Sequence, residues 1–259
     1  MRTESDKMMR YIKHPNLPES NVKQVILGDI YSNMLQNQLL SFDIEVLPVM
    51  GGELLEEPVR YHPDMLFTYI GNGEFVLPKA YRKNFESILP TGSSITEGMV
   101  EPSKPYPRDI AYNVLIAGEV YVHRLANIDR ILLRRLREIR LKAVNVNQGY
   151  SKCSTCVVDN KSVITADKGI ATALKSLGFD VLLITPGFID LPGYDYGFIG
   201  GCCGKLAPNI LAFTGNLDIH PDKNSILRFL NFKGIKPIFL TDKPAFDIGS
   251  IIPITEEST

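Results

Sequence analysis

The stretch GFIGGCCGKLAPN, residues 197–209, sets two adjacent cysteines between a glycine pair and a further glycine in a chain that has four cysteines in all. A thiol at a Gly-rich turn, with approachable backbone amides and a histidine nearby, can have a lowered pKa and act as a covalent nucleophile. Cys202 and Cys203 are the candidates for that role, and His62 is the histidine best placed to serve them. The plainer reading of the same pair is two small buried residues packed where strands crowd together. Cys153 and Cys156 stand in KCSTC with the separation of half a zinc knuckle. Adjacent cysteines chelate one tetrahedral ion awkwardly, however, and a second such half-site is lacking. No metal and no cofactor is therefore expected, beyond an adventitious ion among Cys156, Cys202, His62 and Asp64.

Whether these residues meet depends on what carries them. The chain has 259 residues, 44% hydrophobic and 22% charged, which is a globular composition with enough length for one large domain or two ordinary ones. Its net charge of -1 offers no electrostatic case for nucleic acid. The one dense basic run, Arg130 to Lys142, alternates arginine with leucine and isoleucine at helical spacing and reads as a solvated helix face. No stretch approaches the roughly 18 uninterrupted apolar residues of a membrane span, and the start has no signal-peptide core, so a cytoplasmic protein with free thiols is expected.

The organisation shows in a repeat. Helix-to-strand passages recur in MLQNQLLSFDIEVLPV, RLREIRLKAVNV, ATALKSLGFDVLLITP and ILRFLNFKGIKPIFLTD, with Gly178 and Gly234 where a helix end favours a left-handed residue. Paired strands around turn residues precede the helices, as in MLFTYIGNGEFVLP and TCVVDNKSVITAD. Anchored on the turns, the spacing is 45 residues from Gly73 to Gly118, 43 to Lys161 and 47 to Pro208. Asp167 and Asp222 stand where each would cap free amides at a helix start. The first segment, from Val22, lacks an opening strand, while the C-terminal DIGSIIPI supplies one and stops, so joining the two ends closes a ring. The expected fold is a single α/β domain, a five-bladed α/β propeller with helices outside, residues 1–21 forming an arm and five modules spanning 22–254. LPTGSSITEG, Leu89 to Gly98, lacks a phosphate-loop or dinucleotide context and reads as a flexible loop.

Five strand-strand-helix-strand modules closed by both chain ends resemble the pentein fold of the guanidine-modifying superfamily. That superfamily holds deiminases, dimethylarginine hydrolases and amidinotransferases, together with a ribosomal anti-association factor that does no chemistry. In such a ring the inner strands begin near the axis, so RYHPDML, PYPRDIAYN, YSKCSTCVVD, GFIGGCCGK and FDIGSII should converge. PRDIAYN resembles the superfamily's Arg-Asp-Pro segment, which implies that Asp109, beside Arg108 and followed by Asn113, binds a cationic group, with Ile110 in place of the proline. Asp64, Cys153, Cys156 and Ser250 complete the expected ligand-binding set. The superfamily's nucleophile is a cysteine in the last module; here Gly249 and Ser250 stand there, and no cysteine follows Cys203. The resemblance implies a small-molecule site for a cationic amine or guanidine, with at most non-standard hydrolase or transferase chemistry. A catalytically silent scaffold for a protein or ribosomal partner is the alternative, and a homo-oligomer is compatible with either.

Overall fold

The computed structural model describes residues 9–258, so residues 1–8 of the expected arm lie outside the described residues. β1 (Met9–Tyr11), β2 (Val22–Gly28), α1 (Asp29–Leu40) and β3 (Glu45–Val49) come first. A single-turn helix α2 (Pro63–Leu66) then leads into β4 (Thr68–Gly71), β5 (Glu74–Pro78), α3 (Arg82–Ile88) and β6 (Ser94–Gly98). The next module is β7 (Leu115–Ala117), β8 (Val120–His123), α4 (Arg130–Glu138) and β9 (Lys142–Asn145). It is followed by β10 (Thr155–Asp159), β11 (Ser162–Thr165), α5 (Lys168–Lys175) and β12 (Asp180–Leu183). Last come β13 (Cys203–Ala207), β14 (Ile210–Phe213), α6 (Lys223–Phe232), β15 (Lys236–Phe239) and the terminal strand β16 (Ile252–Glu257).

These strands make five small sheets, each with an antiparallel inner hairpin and a parallel outer strand returned by the helix. The fifth is composite: β16 pairs antiparallel with β2, Ile252 opposite Ile26 and Pro253 opposite Val25, and β2 pairs parallel with β3. The inner strands β7, β10, β13 and β16 lie against one another in succession, and Tyr69 Oη donates to the Ile12 carbonyl between β4 and the β16 edge. Burial on both faces explains the apolar runs of the inner hairpins. Outer strands such as Lys142–Asn145 keep one face in water and bury only Val144. Leu132 and Leu136 face the core on α4, whose arginines stay at the surface or pair with Glu74 and Glu138. Among the described residues no helix is long and apolar enough to cross a membrane.

Four local expectations need correction. Met9–Tyr11 is not free arm but an edge strand on β16, tied further by the buried Glu256 carboxylate, which accepts from Arg10 Nε and the Ser20 amide. Ser94–Gly98 is not loop but the outer strand β6, paired with β5 in the register Phe75 to Ile95. Asp222 does not cap its own helix; its carboxylate accepts from the Thr185 amide at 2.6 Å, while Asp167 does cap α5 through the Ile170 amide. His62 does not open a strand but precedes α2, where Pro63 fixes the first helical position. Gly178 and Gly234 do adopt the left-handed conformation, with φ of 78° and 68°.

Candidate functional site

The starts of the inner strands gather at one end of the ring. α2 brings His62 and Asp64, the segment before β7 brings Asn113, and the turn before β10 brings Tyr150, Lys152 and Cys153. The segment before β16 brings Asp247 and Ser250. Asn113 joins two of these segments. Its Oδ1 accepts from the backbone amides of Lys152 (2.9 Å) and Cys153 (3.3 Å), which turns Nδ2 toward Cys153 Sγ (3.0 Å) and the Asp64 carbonyl (3.2 Å). Cys153 Sγ lies 3.2 and 3.1 Å from the two Asp64 oxygens. Ser250 Oγ lies 2.8 Å from Asp64 Oδ2 and 2.9 Å from the Gly200 carbonyl, its one proton serving one of them at a time, and it accepts from Lys152 Nζ at 2.9 Å. Ser250 sits in the left-handed region at φ 77°, a conformation that costs a non-glycine residue about 1 kcal/mol or more and is held here by its three polar neighbours.

Above this layer is a cavity of about 210 Å³ lined by His62, Cys153 and Asp247 together with Tyr150, Tyr194, Asp195, Tyr196 and Phe198, with apolar packing from Val59, Met65 and Leu191. Tyr150 is fixed by donating to Asp109 Oδ2 at 2.7 Å and by ring contacts with Tyr106 and Phe198. Asp247 is fully desolvated; its oxygens accept from the amides of Phe198 (2.8 Å) and Gly249 (2.9 Å). The glycine just before the two cysteines is explained here, because a Cβ on Gly201 would stand 1.9 Å from Asp247 Oδ1. Any side chain at that position displaces the carboxylate.

Burial dominates the electrostatics. It raises Asp247 to about 6, against the two amides that hold its charge, and raises Asp64 against the opposing pull of His62 and Lys152. Burial lowers His62 to about 4 against the opposing pull of Asp64 and Asp247, and among the described residues neither ring nitrogen makes a hydrogen bond of normal length; Asp247 Oδ1 stands 3.6 Å from Nδ1. Burial and the Asp64 charge push the Cys153 thiol well up. At neutral pH the site therefore presents a neutral imidazole, a thiol and an ionised Asp247.

The expected residues divide into four groups. His62 and Cys153 line the cavity, and Asp64, Asn113 and Ser250 form the layer bonded to them. Asp109 stands behind Tyr150, buried, with Oδ1 unpartnered among the described residues, and Arg108 is exposed. Cys156, Cys202 and Cys203 pack in an apolar cluster with Leu211 and Phe213. Burial pushes the Cys202 thiol up, and the neighbouring Cys203 sulfur and burial do the same to Cys156. Native protein should accordingly alkylate first at Cys153, and slowly, with all four thiols reacting only on unfolding; fast modification of Cys202 or Cys203 near neutrality would contradict this arrangement. Sequence reasoning passed over Asp247, Lys152, Tyr150, Tyr194, Asp195, Tyr196 and Phe198. Asp247 had a signal, since FDIGSII carries an aspartate in the segment leading into an inner strand, as HPDML and PRDI do.

Five modules with this connectivity, closed by both termini, define the pentein fold, and solved structures share it. The chain is similar to an inosamine-phosphate amidinotransferase from Streptomyces griseus, at TM-score 0.58 and 11% identity over 93% of each chain. It is similar to a Pseudomonas aeruginosa DDAH solved with citrulline, at TM-score 0.55 and 9% identity over 92% of this chain and 100% of that one. It is also similar to an agmatine deiminase from C. jejuni, at TM-score 0.53 and 11% identity over 96% of each chain. No curated protein sequence matches it. The chain belongs to the family described as a family of unknown function (DUF6873), which it matches over residues 26–252.

Proposed function

We propose that the protein binds a small cationic amine or guanidine compound in the cavity above Cys153. One observation carries the reading: the lining combines four aromatic rings, Tyr150, Tyr194, Tyr196 and Phe198, with the carboxylates of Asp195 and Asp247, and includes no lysine or arginine. Ring faces and carboxylates both favour a desolvated cation, and a guanidinium matches a carboxylate with two parallel hydrogen bonds. A neutral His62 adds no repulsion. The names of the neighbouring structures, which refer to amidino transfer, citrulline and agmatine, fit a guanidino-related ligand. Ser250 stands in the last module where the resemblance expects a cysteine, with its hydroxyl engaged by Asp64 and Lys152, so the proposal is binding rather than the superfamily's usual covalent chemistry.

Melting temperature across a panel of agmatine, arginine, putrescine and matched neutral and anionic compounds tests this. A ligand that binds only the folded chain stabilises it with the logarithm of its concentration, so at least one cation should raise the melting temperature while the anions do not. The rise should shrink in Asp109→Asn, where Tyr150 loses its charged acceptor. No shift from any cation at millimolar concentration would make the partner-binding scaffold the better reading.

A further inference from the structure

Three side chains of different donor chemistry converge at the floor of the cavity. A ring nitrogen of His62, a carboxylate oxygen of Asp64 and Cys153 Sγ lie within 4.8 Å of one another, and all three residues are buried. Around a tetrahedral zinc ion, with bonds of about 2.3 Å to sulfur and about 2.1 Å to oxygen, sulfur and oxygen ligands stand roughly 3.6 Å apart. Cys153 Sγ now donates to the Asp64 carboxylate at 3.1 and 3.2 Å, so an ion would replace that proton and the two side chains would part by roughly 0.4 Å.

His62 supplies an independent observation. It is 1% exposed, yet among the described residues neither ring nitrogen makes a hydrogen bond of normal length, Asp247 Oδ1 standing 3.6 Å from Nδ1, although one nitrogen carries a proton and the other a lone pair. A buried polar group left unmade is costly, and a bond from nitrogen to metal removes part of that cost. The neighbours of the other two side chains are of the kind that metal ligands carry. The Asn113 amide, fixed in orientation by two backbone donors, points Nδ2 at the sulfur from 3.0 Å, which suits a thiolate. Ser250 Oγ bonds Asp64 Oδ2, and both Asp64 oxygens face the sulfur. Lys152 reaches this layer through Ser250 and itself lines a separate small void.

We propose that His62, Asp64 and Cys153 bind one divalent ion of the zinc class, with its fourth coordination position opening into the aromatic cavity. A mixed nitrogen, oxygen and sulfur donor set selects zinc-like ions over magnesium or calcium, which prefer all-oxygen shells. Three protein ligands and one open position are the pattern of a site that takes a further ligand. The thiolate and the Asp64 carboxylate balance the ion's two charges, so Asp195 and Asp247 still face an organic cation. The metal site and the amine reading therefore stand or fall separately.

Cobalt(II) titration of the chelator-treated full chain tests the site, because four-coordinate cobalt absorbs in the visible and a thiolate ligand adds a near-ultraviolet charge-transfer band. The expected result is saturation at one equivalent with both features, displacement by zinc, loss of the near-ultraviolet band in Cys153→Ser and its retention in Cys156→Ser. His62→Gln should weaken binding about tenfold or more. Circular dichroism checks that the variants are folded. If Cys153→Ser does not fold, X-ray absorption on zinc-loaded wild-type protein decides, with one sulfur among nitrogen and oxygen ligands expected. No thiolate band at one equivalent, a band undiminished in folded Cys153→Ser, or a zinc shell without sulfur overturns the proposal. Repeating the organic-cation panel with and without zinc keeps the two readings distinct.

Discussion

Ending the chain at Asp247 should leave a protein that does not fold. The deletion removes β16, an inner strand of the composite sheet, from between β1 and β2, and with it the strand that lies against β13 and joins it to the composite sheet. Ile251, Ile252 and Ile254 are 1%, 6% and 0% exposed, and fully burying such side chains contributes about 1.5–3 kcal/mol each. Their combined loss, roughly 5–9 kcal/mol, is comparable with the whole stability of an ordinary domain, about 5–15 kcal/mol. The Glu256 carboxylate that holds Arg10 and Ser20 disappears as well. Circular dichroism should show no cooperative thermal transition in the truncated chain. A transition at the wild-type temperature would mean that the ends do not close the ring.

A second large effect is expected in the pH dependence of stability. The folded Asp247 titrates near 6 against an unfolded value of 3.8, because burial disfavours its charge more than two amides favour it. A carboxylate raised in this way contributes stability that is fully present below the unfolded value and is lost as pH rises through the folded one. About two pKa units correspond to about 3 kcal/mol. His62 runs the other way: its folded value near 4 lies below 6.5, so its contribution is lost as pH falls toward 4. Comparing wild type with Asp247→Asn isolates the carboxylate. From pH 4 to mildly alkaline pH, the wild type should lose about 2 kcal/mol relative to the variant in denaturant titrations. Parallel profiles for the two proteins would show that Asp247 is not a carboxylate whose charge burial disfavours.

How much of this was legible depended on what each segment had to satisfy locally. The inner hairpins announced themselves because both faces are buried and their turns need particular residues, as at Asn72 and Gly73, with φ of 54° and 78°. β6 did not, because an outer strand needs few apolar residues and Ser94–Gly98 offers only Ile95. β1 is three half-buried residues whose strand character comes from its partner. In the structure Asp64, Asn113, Cys153 and Ser250 meet because the segments leading into the inner strands converge in a closed ring, and His62 comes with Asp64 on the short helix before β4. Arg108 and Asp109 show the limit of a local match. The Asp109 carboxylate turns back to Tyr150 and Arg108 is exposed, neither of which a local motif shows. Tyr194, Tyr196 and Phe198 lie in an irregular connection between β12 and β13, where no periodicity marks which rings face inward.

The central claim is that a desolvated carboxylate and aromatic walls hold an organic cation. Calorimetric titration of the most stabilising cation into wild-type protein and Asp247→Asn at neutral pH tests it most directly. Removing one partner of a buried charge pair costs about 2 kcal/mol or more, so affinity should fall roughly thirtyfold or further in the variant. A melting transition as cooperative as that of the wild type would confirm that the variant is folded. Equal affinity in the two proteins, or tighter binding of an anion of matched size by the wild type, would contradict the account.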